Sequence, residues 1–489
     1  MIQVAQILFI LSVLVILHEF GHYIAARIFK VRSEKFYLFM DLNFSIFSMK
    51  KINDKWQFKF LSANLPETKK IKENNEIVEI PIDLNTLPDD DWRKHKNSTE
   101  WGIGWLPMGG YVKLAGMIDE SMDKEQLKQP VQPHEFRSKP AWQRLIIMLG
   151  GIIVNIVLAW LIYTIIFATI GKETISTQNF QANGLEFSQV GEIAGFKTGD
   201  KIVSVDGKMQ ENFNRLTIDI LLGDQIKVLR DGKEVEFTLS DQAKKGILGE
   251  EGRLFMFPLL KKVEVGAIVP ESAAEKIGLK INDQILAINH KAVPHFTFLR
   301  NELSKINKDS VLIKVLRNNQ IVELNGITNE EGKLGFAPKG FSKEDFKKNY
   351  LKVEQMTLGK AIKAAVSESF VMFVYNIKQF KLLLRPKTEA YKQIKSPIGI
   401  ARQLPNEWNW KFIWNYIAMF SIALAFMNLL PIPGLDGGHA LFTIAEMITG
   451  KTLNEKTMGY VQTAGMIFLL TLMALVFGKD IYQWIASYF

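Results

Sequence analysis

The residues with the clearest chemical potential lie in one short segment near the N-terminus, His18-Glu19-Phe20-Gly21-His22. The segment fits the pattern H-E-x-x-H. On a helix, side chains four residues apart lie on one face, so the two imidazoles can bind one metal ion, typically zinc. Glu19, beside the first ligand, can take a proton from a water molecule that the metal polarises. The spacing therefore predicts metal-assisted hydrolysis with water as the nucleophile.

A catalytic zinc ion needs a third protein ligand, and the chain has no cysteine to supply it. We predict Asp436, in the run N-L-L-P-I-P-G-L-D-G-G-H that begins at Asn428, because its prolines and glycines break a helix directly after an apolar stretch. His439 is a competing ligand. Asn428 can donate a hydrogen bond to a developing oxyanion or to a substrate backbone. The alternative is a turn in which Asp436 caps a helix and Asn428 makes an ordinary interhelical hydrogen bond.

Four apolar runs predict that the chain crosses a membrane four times, because each is near the roughly 20 residues that a span needs. The runs cover 2–29, 141–170, 412–431 and 460–477. An alternative for the first run is that the span ends near Leu17 and the metal motif lies at an interfacial helix end. Lysine and arginine residues flank the runs, as is typical of cytoplasmic loops, and the net charge is +9. No mixed aromatic and basic pattern indicates nucleic-acid binding.

The polar segment between the second and third runs contains two similar stretches, beginning at Gly195 and Gly278. Each has a turn, then a strand that alternates apolar and polar residues, and later a strand that ends in a turn. The shared pattern resembles PDZ domains, so we predict two of them in tandem; a pair of unrelated β-hairpins is the alternative. Residues 355–400 show an apolar stripe at helical spacing. This stripe predicts an amphipathic helix that lies on the membrane or packs on the PDZ-like domains.

Taken together, the two motifs, the four spans and the PDZ-like pair resemble the site-2 protease family of intramembrane zinc metalloproteases, over most of the chain. The resemblance implies that His18, His22 and Asp436 hold one zinc ion and that Glu19 is the general base. It also implies that Asn428 helps to hold an unwound substrate.

Two further segments match elements of that family. One matches its membrane-associated β-hairpin, which implies that substrate pairs with it as an added strand; a plain surface hairpin is the alternative. Its residues are Gly109, Gly110, Tyr111 and Val112. Asn155 matches an asparagine of the family's second span and is a candidate substrate-binding residue, although Ile152 stands where proline is usual. Polar residues at 40–100 lengthen the loop after the first span, either as a regulatory surface or as a solvated excursion.

The predicted fold is thus a polytopic α-helical membrane protein with four transmembrane helices, a membrane-associated β-hairpin and two inserted PDZ-like α+β domains. Its predicted segments are, in order, the first transmembrane helix (1–30), a cytoplasmic-side loop with the insertion and the hairpin near 103–117 (31–140), the second transmembrane helix (141–171), the two PDZ-like domains (172–255 and 256–345), an amphipathic helix with a linker (346–410), the third transmembrane segment (411–445) and the fourth transmembrane helix (446–489).

The resemblance also implies partners and a location. Expected substrates are single-span membrane proteins already cut by another protease, such as anti-sigma factors or remnant signal peptides. The expected location is the bacterial inner membrane, with the PDZ-like domains periplasmic and the active site toward the cytoplasm. The PDZ-like pair is predicted to filter substrates by size; gripping a C-terminus is the alternative. The runner-up function is a non-enzymatic PDZ-bearing scaffold with a structural metal, although such a site would not need Glu19.

Overall fold

The computed structural model describes residues 2–65, 68–73, 76–117, 130–249, 255–260, 262–451 and 455–486. Parts of the predicted insertion, the loop after it, the junction of the predicted PDZ-like domains and the last predicted segment lie outside the described residues. The chain divides into two compact units, which we describe separately. The first unit comprises Met1–Phe167, Thr357–Ile377 and Lys395–Phe489, and the second comprises Ala168–Met356 and Lys378–Ile394.

The first unit contains the four predicted membrane-spanning helices. Among the described residues, four helices are long and apolar enough to cross a membrane, with mean hydropathies between 1.6 and 2.7 over their candidate windows. These four are α1, α2, α3 and α5, and the shorter α4 lies between the last two. Their bounds are α1 (Ile2–Ile28), α2 (Ala141–Thr169), α3 (Trp410–Leu429), α4 (Asp436–Thr449) and α5 (Glu455–Ala486).

The described residues between α1 and α2 form five strands, and two of these strands, the first and the last, each have two arms at different places in a sheet. The strands are β1 (Ser33–Ile52), β2 (Lys55–Ala63), β3 (Thr68–Glu73), β4 (Glu76–Pro81) and β5 (Glu100–Leu114). β3 and β4 pair with each other, whereas β2, β1 and β5 form one mixed sheet, in which residues 35–38 of β1 run parallel to residues 100–103 and antiparallel to residues 110–113 of β5. Lys35 of β1 pairs with both Glu100 and Lys113 of β5, and Met49 of β1 pairs with Trp101. The order across the sheet is therefore 55–63, 44–52, 100–104, 35–38 and 110–114.

This sheet differs from the hairpin predicted near 103–117. The two arms of β5 do not pair with each other, because residues 35–38 of β1 lie between them and pair with both. The chain turns back at Gly109, whose φ of 81° favours glycine. Residues 110–114 consequently form one edge of the sheet within the described part of the chain. That this segment associates with the membrane stays a prediction.

The second unit contains two hydrophobic cores, formed by buried residues between 180 and 256 and between 263 and 334. Its strands are Lys172–Ile175, Leu185–Phe187, Lys201–Val205, Gln225–Arg230, Lys233–Thr238, Met256–Pro258, Val263–Ile268, Gln284–Ile288, Lys291–Ala292, Ser310–Arg317, Gln320–Ile327, Phe336–Pro338 and Leu351–Glu354. Its α-helices are Thr177–Phe180, Gln189–Ile193, Phe213–Leu222, Asp241–Gly249, Ala273–Lys276, Phe296–Leu303 and Lys343–Tyr350. The helix Leu358–Leu383 follows, within the segment predicted to be an amphipathic helix.

The two cores carry matching ion pairs at matching places. Asp200 precedes one strand and binds Arg230 of the next at 2.7 Å, and Asp283 binds Arg317 in the same way at 2.7 Å. Each arginine also donates to the carbonyl of a turn residue that begins the similar stretches, at 2.8 and 2.7 Å. Both aspartate side chains are almost fully buried, so each pair fixes a turn against a strand.

One buried carboxylate, Glu186, connects elements of both cores. It accepts hydrogen bonds from the backbone N–H groups of Leu260 and Thr297, each at 2.7 Å, and lies 3.2 Å from His295 Nδ1. Burial by itself would raise the pKa of Glu186, but these hydrogen bonds hold it below its usual value. The charged carboxylate therefore ties the first core to the start of the second core's helix.

Candidate metal centre

Helix α1 brings His18 and His22 together, as their spacing predicts. Their ring centroids are 4.9 Å apart, and the two Nε2 atoms are 3.4 Å apart. Both residues are buried, although they lie in a helix that is otherwise apolar enough to cross a membrane. Burying two imidazoles whose Nε2 atoms face the same point costs free energy unless a cation lies between them.

The third group comes from the break between α3 and α4. Asp436 is the first residue of α4, and its Oδ2 atom lies 3.2 Å from Nε2 of both histidines. The turn before it is tight: a Cβ added at Gly437 would lie 2.3 Å from the Leu430 carbonyl oxygen, and one at Gly438 would lie 2.6 Å from that of Ile432. These glycines therefore allow the helix to restart with Asp436 facing the histidines.

The donor set fits a zinc ion. Ligand atoms arranged tetrahedrally at the usual zinc–nitrogen and zinc–oxygen bond lengths are about 3.3 Å apart. The three separations measured among His18, His22 and Asp436 are 3.2, 3.2 and 3.4 Å. Within the described residues they are the one group of three metal-ligand side chains that converges, and Asp436 Oδ2 has no hydrogen-bond donor apart from the two imidazoles. His439, the competing ligand, instead contacts Gln462 of α5.

Helix α2 holds the other nitrogen of each imidazole. His22 Nδ1 donates to the backbone carbonyl oxygen of Ile147 at 2.8 Å. The Asn155 side chain is fully buried and places its amide nitrogen Nδ2 3.1 Å from His18 Nδ1. Its backbone oxygen accepts a hydrogen bond from Ser421 of α3 at 2.7 Å. The contact with the Ile147 carbonyl fixes the tautomer of His22, so that its Nε2 keeps its lone pair for the ion.

Glycines allow α2 to come this close to α1. A Cβ added at Gly21 would lie 2.2 Å from the carbonyl oxygen of Gly150. One added at Gly151 would lie 2.5 Å from both His18 Cε1 and His22 Nε2. The sequence contains the signals for this contact, a glycine inside the metal motif and a Gly-Gly pair in the second span. The sequence alone does not show that these glycines face each other, because that depends on which helices pack together.

The remaining predicted residues lie around the same site. Asn428, near the end of α3, places its Nδ2 atom 3.0 Å from His18 Nε2 and is almost fully buried. Glu19 follows His18 directly, and its carboxylate interacts with the backbone N–H of Val112 in β5. Gly110 packs against α1, since a Cβ there would lie 2.6 Å from Val15 Cγ1. Tyr111 donates from its hydroxyl to Asp41 at 2.9 Å.

Comparison with known proteins identifies the family. Residues 6–68 and 89–472 match the family model of Peptidase family M50. The chain belongs to this family, also known as the site-2 proteases. It is therefore a zinc metalloprotease with helices suited to a membrane.

Two bacterial relatives support the assignment. The chain is 26% identical over 417 residues to a protein named regulator of sigma E protease from Haemophilus influenzae, covering 80% of this chain and 88% of that protein. It is 25% identical over 413 residues to a protein named protease RseP from Yersinia pestis, again covering 80% of this chain and 88% of the relative. The family model does not match residues 69–88, which lie within the predicted insertion.

Proposed function

We propose that this metalloprotease hydrolyses peptide bonds in the transmembrane segments of single-span membrane proteins. The observation that carries the proposal is the convergence of His18, His22 and Asp436 between helices that are apolar enough to cross a membrane. These three residues would hold one zinc ion. When bound, zinc supplies the Lewis acidity that allows a water molecule to lose a proton near neutral pH.

Glu19 would act as the general base in this reaction. Its position next to His18 on α1 places a carboxylate beside the three ligand atoms without making it a ligand itself. It would take the proton from the attacking water and pass it to the leaving amine. Asn428, at 3.0 Å from His18 Nε2, would donate its amide N–H to the substrate carbonyl oxygen as negative charge develops there.

Substrate would bind in an extended form along residues 109–112. A transmembrane helix hides its peptide bonds in its own hydrogen bonds, so it must unwind before hydrolysis. An added strand keeps the exposed N–H and C=O groups paired while it presents one bond to the site. The edge of β5 supports this proposal, because residues 110–113 pair with β1 on one side and leave their other side as the edge of the sheet within the described residues. Asn155 would contact substrate as well as His18.

The second unit would contain two PDZ-like domains, within the predicted bounds 172–255 and 256–345. The matching ion pairs Asp200–Arg230 and Asp283–Arg317 support the interpretation as a repeat. On the positive-inside pattern these domains would be periplasmic, and the metal site would open toward the cytoplasm. There they would exclude membrane proteins with a bulky outer domain, so that a first protease must shorten each substrate.

The names of the relatives suggest the substrate class. Proteins called regulator of sigma E protease and RseP imply anti-sigma factors as substrates for this chain too, with remnant signal peptides as a second candidate. The enzyme would act in a bacterial inner membrane.

The test is cleavage of a single-span reporter with a short outer domain, in membranes that contain either the intact protein or the Glu19→Gln variant. We expect the intact protein to cut the reporter and the variant to bind it without cutting. Failure of the intact protein with several reporters while zinc is bound would favour the alternative, a PDZ-bearing scaffold with a structural metal. Equal cutting by both proteins would show that Glu19 is not the base.

A further inference from the structure

The outer part of the β1–β2–β5 sheet has one apolar face. Directly opposite residues of an antiparallel pair point to the same side, and three such pairs are Phe47 with Phe60, Met49 with Phe58, and Lys51 with Trp56. We call Phe47, Met49, Trp56, Phe58 and Phe60 the aromatic face. Three of these side chains lie at alternate positions of β2, and they are 49% (Trp56), 56% (Phe58) and 71% (Phe60) exposed. Such exposure is unusual for three neighbouring large apolar side chains.

The opposite face of the same strands is polar, and it is the covered one. The buried Lys50 donates to the Trp92 carbonyl oxygen at 3.0 Å, and the indole N–H of Trp92 donates to Gln57 Oε1 at 2.7 Å. Lys59 Nζ lies 4.0 Å from the centre of the Trp92 ring. The insertion thus folds back over the polar side and leaves the apolar side open. A sheet in water is arranged the other way round, with its polar side exposed.

The aromatic face continues inward to helix α1. Met49 pairs with Trp101, and Trp101 pairs with Phe36, so all three point to the same side of the sheet. Both aromatic rings contact Tyr23 of α1, with centroids 5.1 and 5.9 Å apart. The same apolar surface therefore begins against a candidate membrane-spanning helix and extends outward along β2.

From this arrangement we infer that lipid covers the aromatic face, so that strand β2 lies against the bilayer in its interfacial zone. The sheet begins at Ser33, five residues after α1 ends at Ile28, which keeps it near the end of the span. Tryptophan and phenylalanine with flanking lysines, here Lys51 and Lys55, are the side chains that favour this zone. The predicted insertion then has a role, because its strand β2 anchors the sheet to the membrane.

This anchoring has a consequence for the opposite edge of the sheet. Because β2 and residues 110–114 belong to one hydrogen-bonded sheet, fixing one edge in the lipid limits the depth of the other. The importance of that depth for substrate binding rests on the proposed function, whereas the lipid contact does not.

The chain has no cysteine, so single cysteines can be introduced without other changes. We would label Phe58→Cys and Phe60→Cys with an environment-sensitive NBD dye, in the full-length protein in phosphatidylcholine–phosphatidylglycerol vesicles. Lys55→Cys and Lys59→Cys, whose side chains point to the opposite side of β2, are the matched controls. One bound zinc per chain shows that a variant has folded. If Phe58→Cys or Phe60→Cys fails this check, the dye is placed at Trp56→Cys instead.

We expect dyes at 58 and 60 to emit at shorter wavelength and to be quenched by doxyl-labelled lipid but not by iodide in the buffer. Dyes at 55 and 59 should not respond to the doxyl lipid. Iodide quenching at 58 and 60 would overturn the inference, because the face would then be in water. Dyes at 58 and 60 shielded from both quenchers would also overturn it, since a second copy or another protein would then cover the face.

Discussion

Each of the two imidazoles at the proposed metal site contacts a different kind of group from α2. His22 uses a backbone carbonyl, that of Ile147, and His18 uses the side chain of Asn155. The amide nitrogen of Asn155 lies 3.1 Å from His18 Nδ1. Because the oxygen and nitrogen ends of an amide have nearly the same shape, a half-turn of this side chain would present Oδ1 to Nδ1–H and leave the lone pair of His18 on Nε2, where the ligand atoms converge. The position of Asn155 thus supports a role in holding His18 for the metal.

Replacing Asn155 tests this role. Asn155→Leu keeps the branched shape but removes the acceptor, and we expect zinc to bind about 10- to 100-fold more weakly, as measured by competition with a chelator. Asn155→Asp restores an acceptor and should recover much of the affinity. Asn415→Leu is the matched control, because Asn415 on α3 bonds only to its own helix, at the Lys411 carbonyl oxygen. Zinc affinity unchanged in Asn155→Leu would rule out the role.

At the scale of single residues, the sequence predicted which side chains lie at the site but not which backbone groups contact them. That His18, His22 and Asp436 lie together could be predicted, because histidine spacing and a proline- and glycine-rich break have direct chemical meaning. The Ile147 carbonyl was not predictable, because any residue carries one and only the packing of α2 on α1 selects it. Asn155 was noticed, but its contact with His18 depends on the same packing.

Between elements, the approach of α2 to α1 positions the metal site. Gly21, Gly150 and Gly151 form the contact, and a side chain at any of them would meet backbone or imidazole atoms within 2.5 Å. Small residues of this kind let helices in membranes pack with their backbones close together.

Gly151→Ala should therefore displace α2 and weaken zinc binding by at least about tenfold, because the added methyl group would meet both imidazoles. The readout is zinc content after dialysis against a weak chelator. Gly459→Ala on α5 is the control, since a Cβ there meets nothing within 4 Å. Normal zinc retention by Gly151→Ala would mean that the helices are not packed so closely in the membrane.

The sheet between α1 and α2 was the element that sequence analysis predicted least well. The family resemblance implied a hairpin near 103–117, but an arm of β1 lies between the two arms of β5. Such a register depends on pairing between segments more than 60 residues apart, such as Lys35 with Glu100 and Lys113, and no local pattern encodes it. The insertion added to the difficulty, because its role depends on which face of the sheet it covers.

For the whole molecule, the arrangement of the second unit suggests how to test substrate selection. Its first strand, Lys172–Ile175, pairs antiparallel with its last strand, Leu351–Glu354, so the chain enters and leaves side by side. A short glycine–serine linker can therefore replace residues 177–349 while that pair stays in place.

If the PDZ-like domains filter by size, this shortened protein should cut substrates that retain their full outer domain, which the intact protein leaves uncut. Cleavage of already shortened substrates should continue at a similar rate. Gel analysis of both substrates in the same vesicles measures the difference. Unchanged selectivity would contradict the filter, and loss of cleavage of both substrates would point instead to substrate binding by these domains.

The proposed mechanism requires that His18, His22 and Asp436 bind the zinc ion and that Glu19 acts as the general base. The most direct test measures bound zinc and reporter cleavage on the same purified samples of the intact protein, Asp436→Asn and Glu19→Gln. We predict one zinc per chain and cleavage for the intact protein, one zinc without cleavage for Glu19→Gln, and loss of both for Asp436→Asn. Full zinc binding and cleavage by Asp436→Asn, or cleavage by Glu19→Gln, would contradict the claim.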